Sequence, residues 1–193
     1  MDSKQELAEK KIKSKQVYSG GLLQVYKDTV ELPDGIESER EYIKHPGASV
    51  IIPYRDNGEI LLIRQYRYPI RETILELPAG KIDPGENAED SINRELAEET
   101  GYGAKTIRKL GRIHSCVGYS DEVVHLFWGS DLYENNLEQD EGENIILAPM
   151  SIEDAMKKVL QDEITDAKTT IGLFWADRII NNKNFRQALG ISI

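Results

Sequence analysis

One cysteine, Cys116, stands in 193 residues, so no disulfide can close within the chain, and a reducing compartment is the easier reading. Histidine is scarce too: His45, His114 and His125 are scattered, with no pair at metal-ligand spacing, and each reads as structural. Little supports Cys116 as a nucleophile. The opening MDSKQELAEKKIKSKQ is polar and has no apolar core region, so residues 1–16 read as a tail or frayed helix, neither secretory signal nor membrane span. A cytoplasmic protein is the default expectation. Positive charge is in deficit, with 24 Lys and Arg against 34 Asp and Glu, and a net charge of -10 disfavours a nonspecific nucleic-acid binder. An acidic protein still binds a small anion where metal and a few arginines reverse the local field. There is no internal repeat or low-complexity segment. The 39% hydrophobic content suits one core, or a domain with a small appendage.

What is present is concentrated in residues 80–102, GKIDPGENAEDSINRELAEETGY. Asp83, Pro84 and Gly85 are turn chemistry, so a loop precedes a helix. Asn87 is placed as N-cap, with Glu89 and Asp90 suited to the positive end of the helix dipole, and Gly101 is the left-handed stop. At about 100° per residue, Glu95, Glu98 and Glu99 fall within an arc of roughly 100°, beside an apolar stripe of Ala88, Ile92 and Leu96. Like charges so placed repel by a few tenths of a kcal/mol each, and by more where water is partly excluded. Something must offset that repulsion. Carboxylate oxygens are hard ligands for Mg²⁺ or Mn²⁺, and such ions beside a diphosphate favour anhydride or ester hydrolysis. Arg94, within a turn of these acids, is placed to orient one of them by a charge-assisted bond. An acidic helix edge is ordinarily just a solvated face. Here the fixed spacing of Gly80, Glu86, Arg94, Glu95, Glu98, Glu99 and Gly101 has a chance probability on the order of 10⁻⁶ for the chain, which turns the odds toward a site.

This segment resembles the Nudix box, GX5EX7REUXEEXGU, at every position but the last, where Tyr102 replaces an aliphatic residue. The resemblance implies an α/β/α sandwich with a mixed sheet and cleavage of a nucleoside diphosphate linked to another moiety. It implies metal ligands at Glu95 and Glu99, at Glu98 next, and at the backbone carbonyl of Ala79. Similarity extends over roughly residues 16–180 through HPGASV, LLIRQYRYPIRETILELPAGKID and GYSDEVVHLFWG, and points to the branch of ADP-ribose and nucleoside-diphosphate-sugar pyrophosphatases. On that resemblance Arg67 contacts substrate phosphate, a task suited to its planar fork. The acidic loop LEQDEGENIIL supplies the general base, from Glu141 or Glu143, and Glu143 is also a metal ligand. Spacing alone does not choose between the two glutamates. Val117 stands where members preferring ADP-ribose tend to carry proline before the glycine matched by Gly118, so the choice between ADP-ribose and other sugar nucleotides such as GDP-mannose stays open. Coenzyme A or a dinucleoside polyphosphate as substrate, and a noncatalytic nucleotide-sugar sensor, are the alternatives.

Strand patterns in residues 17–44 surround the turn Pro33, Asp34, Gly35 and predict a small antiparallel sheet, giving an N-terminal β subdomain over 17–45 and a catalytic domain over 46–193. Asp56, Asn57 and Gly58 between ASVIIPY and EILLIRQY are a hairpin signal. Further strands are predicted near 106–115, 122–129 and 144–148, with helices near 151–163 and 167–181. Three strands have too little apolar surface to stand alone. In the family that small sheet exchanges across a two-fold axis and adds aromatic contacts to the partner's nucleotide, which implies a homodimer with Tyr18 as the stacking candidate.

Overall fold

The computed structural model describes residues 6–139 and 142–193. They form two compact units, one running to Pro46 and taking in His114–Val123, the other made of Gly47–Ile113 and Val124–Ile193. No helix among the described residues is long and apolar enough to cross a membrane.

In the N-terminal unit, β1 (Lys10–Ser19), β2 (Gln24–Glu31) and β3 (Glu37–Lys44) make an antiparallel sheet in that order. Gly35, at φ 85°, turns the chain between β2 and β3, and Asp34 Oδ1 accepts the amide of Ile36 at 3.1 Å. Strand β1 takes in residues 10–16, which composition assigned to a tail. All ten of its residues are exposed, so neither face selects for apolar side chains and no alternation betrays the strand. Residues 114–123 join this unit through backbone bonds, among them Ile43 N–H to Tyr119 O at 2.8 Å.

The second unit contains β4 (Ala48–Pro53), β5 (Glu59–Arg67), β6 (Glu72–Glu76), β7 (Ala79–Lys81), α1 (Ala88–Thr100), β8 (Tyr102–Ile113), β9 (Val124–Glu134), β10 (Ile145–Ser151), α2 (Ile152–Leu160), α3 (Ala167–Asn181) and α4 (Lys183–Ala188). One sheet has the order β7-β4-β9-β8 and is mixed, since β4 and β9 run parallel while the other pairs are antiparallel. The other is antiparallel, in the order β10-β5-β6. Alternation along the central strands sorts the core. Ile51 of β4 and Phe127 of β9 pack with Ile92 and Leu96 of α1. Their neighbours Val50, Ile52, Leu126 and Trp128 pack with Leu173 and Ala176 of α3. Helices therefore cover the mixed sheet on opposite faces, the expected α/β/α arrangement. Each large side chain so buried contributes about 1.5–3 kcal/mol.

The hairpin expected at Asp56–Gly58 is corrected by the pairing. Gly58 turns the chain at φ 87°, and Arg55 N–H bonds Glu59 O at 2.8 Å next to an antiparallel bridge between Tyr54 and Ile60, but beyond that turn β4 and β5 belong to different sheets. Residues 50–53 and 60–63 are buried without a break, so neither strand has the polar face that a two-stranded hairpin leaves to water.

Candidate active site

The loop from Ile82 to Asn87 and helix α1 carry the acidic cluster. Asn87 caps the helix, its side chain accepting from the amides of Glu89 and Asp90 at 2.9 and 3.0 Å, and Gly101 ends it at φ 73°. Two buried serines pin this element: Ser49 Oγ donates to Ala88 O at 2.8 Å, and Ser91 Oγ to Lys81 O at 3.2 Å. With Ile92 and Leu96 seated in the core, the edge bearing Glu95, Glu98 and Glu99 is carried partly inward. Their side chains are 12%, 15% and 4% exposed, which rules out a merely solvated face.

Arg94 organises the edge. Its Nη1 lies 2.9 Å from both Glu95 Oε1 and Glu98 Oε2, and its Nε and Nη2 each lie 3.2 Å from Glu86. The bond to Arg94 holds the Glu86 carboxyl below its usual range, so the box glutamate before the helix is an anchored anion. The guanidinium thus contacts three carboxylates at once.

Glu95 and Glu99 behave differently from Glu86. Burial pushes Glu95 up to about 7, opposed by Arg94 and reinforced by the charges of Glu98 and Glu143. Burial pushes Glu99 up to about 9, against a 2.9 Å bond from the Ala79 amide to its Oε2, with Glu95 and Glu143 adding repulsion and Lys168 easing it. The charge of Glu143 therefore acts on both. Glu141 lies outside the described residues. Ala79 is brought to Glu99 through its amide, on the short strand β7, and Gly80 follows it. A Cβ at Gly80 would fall on the Glu95 carboxyl group where it now lies, so a side chain there displaces that carboxylate.

The donor set fits a hard divalent cation: carboxylate oxygens held close together, short of neutralising charge, with a glycine clearing the space beside one of them. Among the described residues no three acidic or imidazole groups already converge into an ion cage.

Arg67, at the end of β5, gives its Nε to Glu76 Oε1 at 2.5 Å and its Nη2 to Glu76 Oε2 at 2.9 Å. Glu76 is 1% exposed and also takes the ammonium of Lys168, which bonds Asp166 Oδ2 at 3.0 Å. Sequence reasoning missed Glu76, Asp166 and Lys168. Two signals were available: a charge inside the apolar run ILELPAG, and a lysine in the first turn of a helix, where the dipole disfavours it. Tyr18 is an exposed residue of β1 in the N-terminal unit, with its ring lying over Gly20. Tyr102, the one departure from the box, is half-buried, with Arg55 5.9 Å from its ring centroid. Val117 is exposed, and Cys116 accepts a bond from Tyr119 Oη at 3.1 Å. His125, on β9, is held below its usual pKa by burial and by Lys109 and Arg112.

Comparison with known proteins places this arrangement. Residues 43–170 match the profile of the NUDIX domain, and residues 9–43 that of the nucleoside diphosphate sugar hydrolase N-terminal domain. The ADP-ribose pyrophosphatase of Bacillus subtilis (strain 168) is 41% identical over 169 residues, covering 86% of this chain and 91% of that protein. The methanol dehydrogenase activator of Bacillus methanolicus is 36% identical over 167 residues, covering 86% and 90%. Among solved structures, a crystal structure of an ADP compounds hydrolase superposes with a TM-score of 0.82 at 26% identity, covering 92% of this chain and 96% of that one. With two-thirds of its length matched by that domain and its box intact from Gly80 to Gly101, this chain belongs to the Nudix family.

Proposed function

We infer that this chain hydrolyses the pyrophosphate linkage of nucleoside diphosphate sugars, ADP-ribose foremost, to a nucleoside monophosphate and a sugar phosphate. The observation that carries the reading is the inward-turned acidic edge of α1, where Glu99 is buried and Glu95 half-buried, with Gly80 against the Glu95 carboxyl and the charge of Glu143 acting on both. Its similarity along nearly the whole chain to a protein named ADP-ribose pyrophosphatase, and the N-terminal match to a nucleoside diphosphate sugar hydrolase domain, support the substrate class.

Nudix hydrolases need a divalent metal. Glu95, Glu98, Glu99, Glu143 and the carbonyl of Ala79 are the residues that would hold it, as Mg²⁺ or Mn²⁺. When bound, it neutralises diphosphate charge and polarises phosphorus. Arg94 orients Glu95 and Glu98. Arg67 binds the diphosphate through the N–H groups that Glu76 leaves over, and so sets phosphorus in line for attack. The attacking water gives its proton to Glu143 or Glu141 as the P–O bond to the bridging oxygen breaks. Replacing Glu99 with Gln keeps the acceptor for the Ala79 amide and removes the charge, so turnover falls by orders of magnitude while the fold survives.

The protein acts as a cytoplasmic homodimer in this reading. The fully exposed β1, with Ile12, Val17 and Tyr18 open to solvent, supports a second copy as its cover. Tyr18 then stacks on the partner's nucleotide base. The test is one panel of ADP-ribose, GDP-mannose, UDP-glucose, coenzyme A, a dinucleoside polyphosphate and ATP with Mg²⁺, products separated by ion-exchange chromatography. ADP-ribose should give AMP and ribose 5-phosphate. Cleavage confined to ATP, coenzyme A or the dinucleoside polyphosphate overturns the substrate class, and cleavage of none overturns the enzymatic reading.

A further inference from the structure

Segment 76–80, Glu-Leu-Pro-Ala-Gly, meets the rest of the site residue by residue. Glu76 takes Arg67 and Lys168, and the amide of Leu77 donates to Thr169 Oγ1 at 2.8 Å. The carbonyl of Pro78 accepts from Ile51 N–H at 3.1 Å, the Ala79 amide holds Glu99, and Gly80 makes room for Glu95. The first two of these contacts tie the segment to the start of α3, whose N-cap Asp166 accepts from Thr169 N–H at 2.9 Å and from Lys168.

Lys168 is costly where it sits. A cation in the first helical turn opposes the dipole, and its side chain is only 18% exposed. Two carboxylates, Glu76 and Asp166, offset that cost, yet Glu76 has a bidentate partner in Arg67 already. Charge balance at Glu76 alone therefore does not require the lysine. What the second cation adds is restraint. With Lys168 on Oε2, the Glu76 carboxylate cannot swing, and the Arg67 guanidinium bonded to both its oxygens is held in one plane. Nε and Nη2 of Arg67 are engaged in that pair, and Nη1 has no partner among the described residues, while the side chain is 39% exposed. The held guanidinium thus keeps one edge for an outside anion.

We propose that Lys168 and Glu76 are positioning residues for the hydrolysis, acting through Arg67 by fixing the plane in which its free edge meets the diphosphate. The proposal rests on the assignment of Arg67 to substrate phosphate made above. Neither Lys168 nor Glu76 need touch substrate. Because positioning matters most as charge redistributes during bond cleavage, the loss falls on kcat and spares KM.

The test is a double-mutant cycle on the full chain with ADP-ribose and Mg²⁺, or with the best substrate of the panel. Lys168→Met retains the stem and leaves Glu76 paired to Arg67, and Glu76→Gln is a second variant of unchanged shape. Circular dichroism and melting temperature verify folding. Each variant should lower kcat by about tenfold with KM changed by less than about twofold, and either change made in an Arg67→Ala background should alter kcat by less than about twofold. An equal loss in both backgrounds, or no loss in either, overturns the positioning role. Failure of the underlying assignment looks different: Arg67→Ala then leaves kcat and KM unchanged, and the proposal falls with it.

Discussion

Without metal, the chain should lose stability as pH rises, and Glu99 should account for most of the loss. Its carboxyl sits at about 9 in the folded protein against 4.5 when free, because burial and the charges of Glu95 and Glu143 disfavour ionisation. A folded-state value above the unfolded one means that the native state binds the proton more tightly. The associated stability is fully present below pH 4.5 and drains away as pH climbs toward 9. At about 1.4 kcal/mol per pH unit the upper limit is about 6 kcal/mol, a large share of the roughly 5–15 kcal/mol that holds a domain of this size together. Glu95, pushed up to about 7, adds a smaller loss of the same sign between pH 4.5 and 7. Divalent metal supplies the missing positive charge, so Mg²⁺ should flatten the profile. The assay is urea unfolding followed by circular dichroism at pH 5.5, 7, 8 and 9, in EDTA and in millimolar Mg²⁺, for the wild type and Glu99→Gln. The wild type in EDTA should weaken by several kcal/mol across this range, and the variant by much less. A metal-free profile that is flat or rising, or a variant as pH-sensitive as the parent, refutes the account of a buried, uncompensated acid.

Three further outcomes follow from the same geometry. Gly80→Ala drives a methyl group into the Glu95 carboxyl, so the Mg²⁺ concentration for half-maximal activity should rise at least about tenfold, which a metal titration of the initial rate reads directly. Asn87→Ala removes the cap of α1 and should cost about 1 kcal/mol in chemical denaturation, with kcat within about twofold of the parent, since the cap bonds Asp90 and the first-turn amides and none of Glu95, Glu98 and Glu99. Gel filtration with light scattering should give twice the chain mass of 21.9 kDa at micromolar concentration, and one chain mass rejects the dimer.

Much of the site was legible because its grammar is local. Asn87, Gly101 and the spacing of Glu95, Glu98 and Glu99 act within a single helix, where periodicity and capping can be read without knowing what lies opposite. Arg94 was legible for the same reason, since two of its partners sit within a turn of it. Strand β1 was read short because a strand exposed on both faces carries no pattern. The break between β4 and β5 was read as a hairpin because a turn signal says that the chain reverses, without saying which sheet receives it.

Residue types and spacing in one short stretch of chain were thus enough to determine the reaction class, the helix that carries the acids and its two ends, because each depends on contacts between near neighbours. Only the folded chain decided how deeply Glu99 is buried, and therefore how strongly it needs a counter-ion. Only the folded chain brought Lys168 onto Glu76 across 92 residues, beside the pair that Glu76 makes with Arg67. Burial and long-range pairing depend on every element that packs around a residue, and no window of sequence contains them.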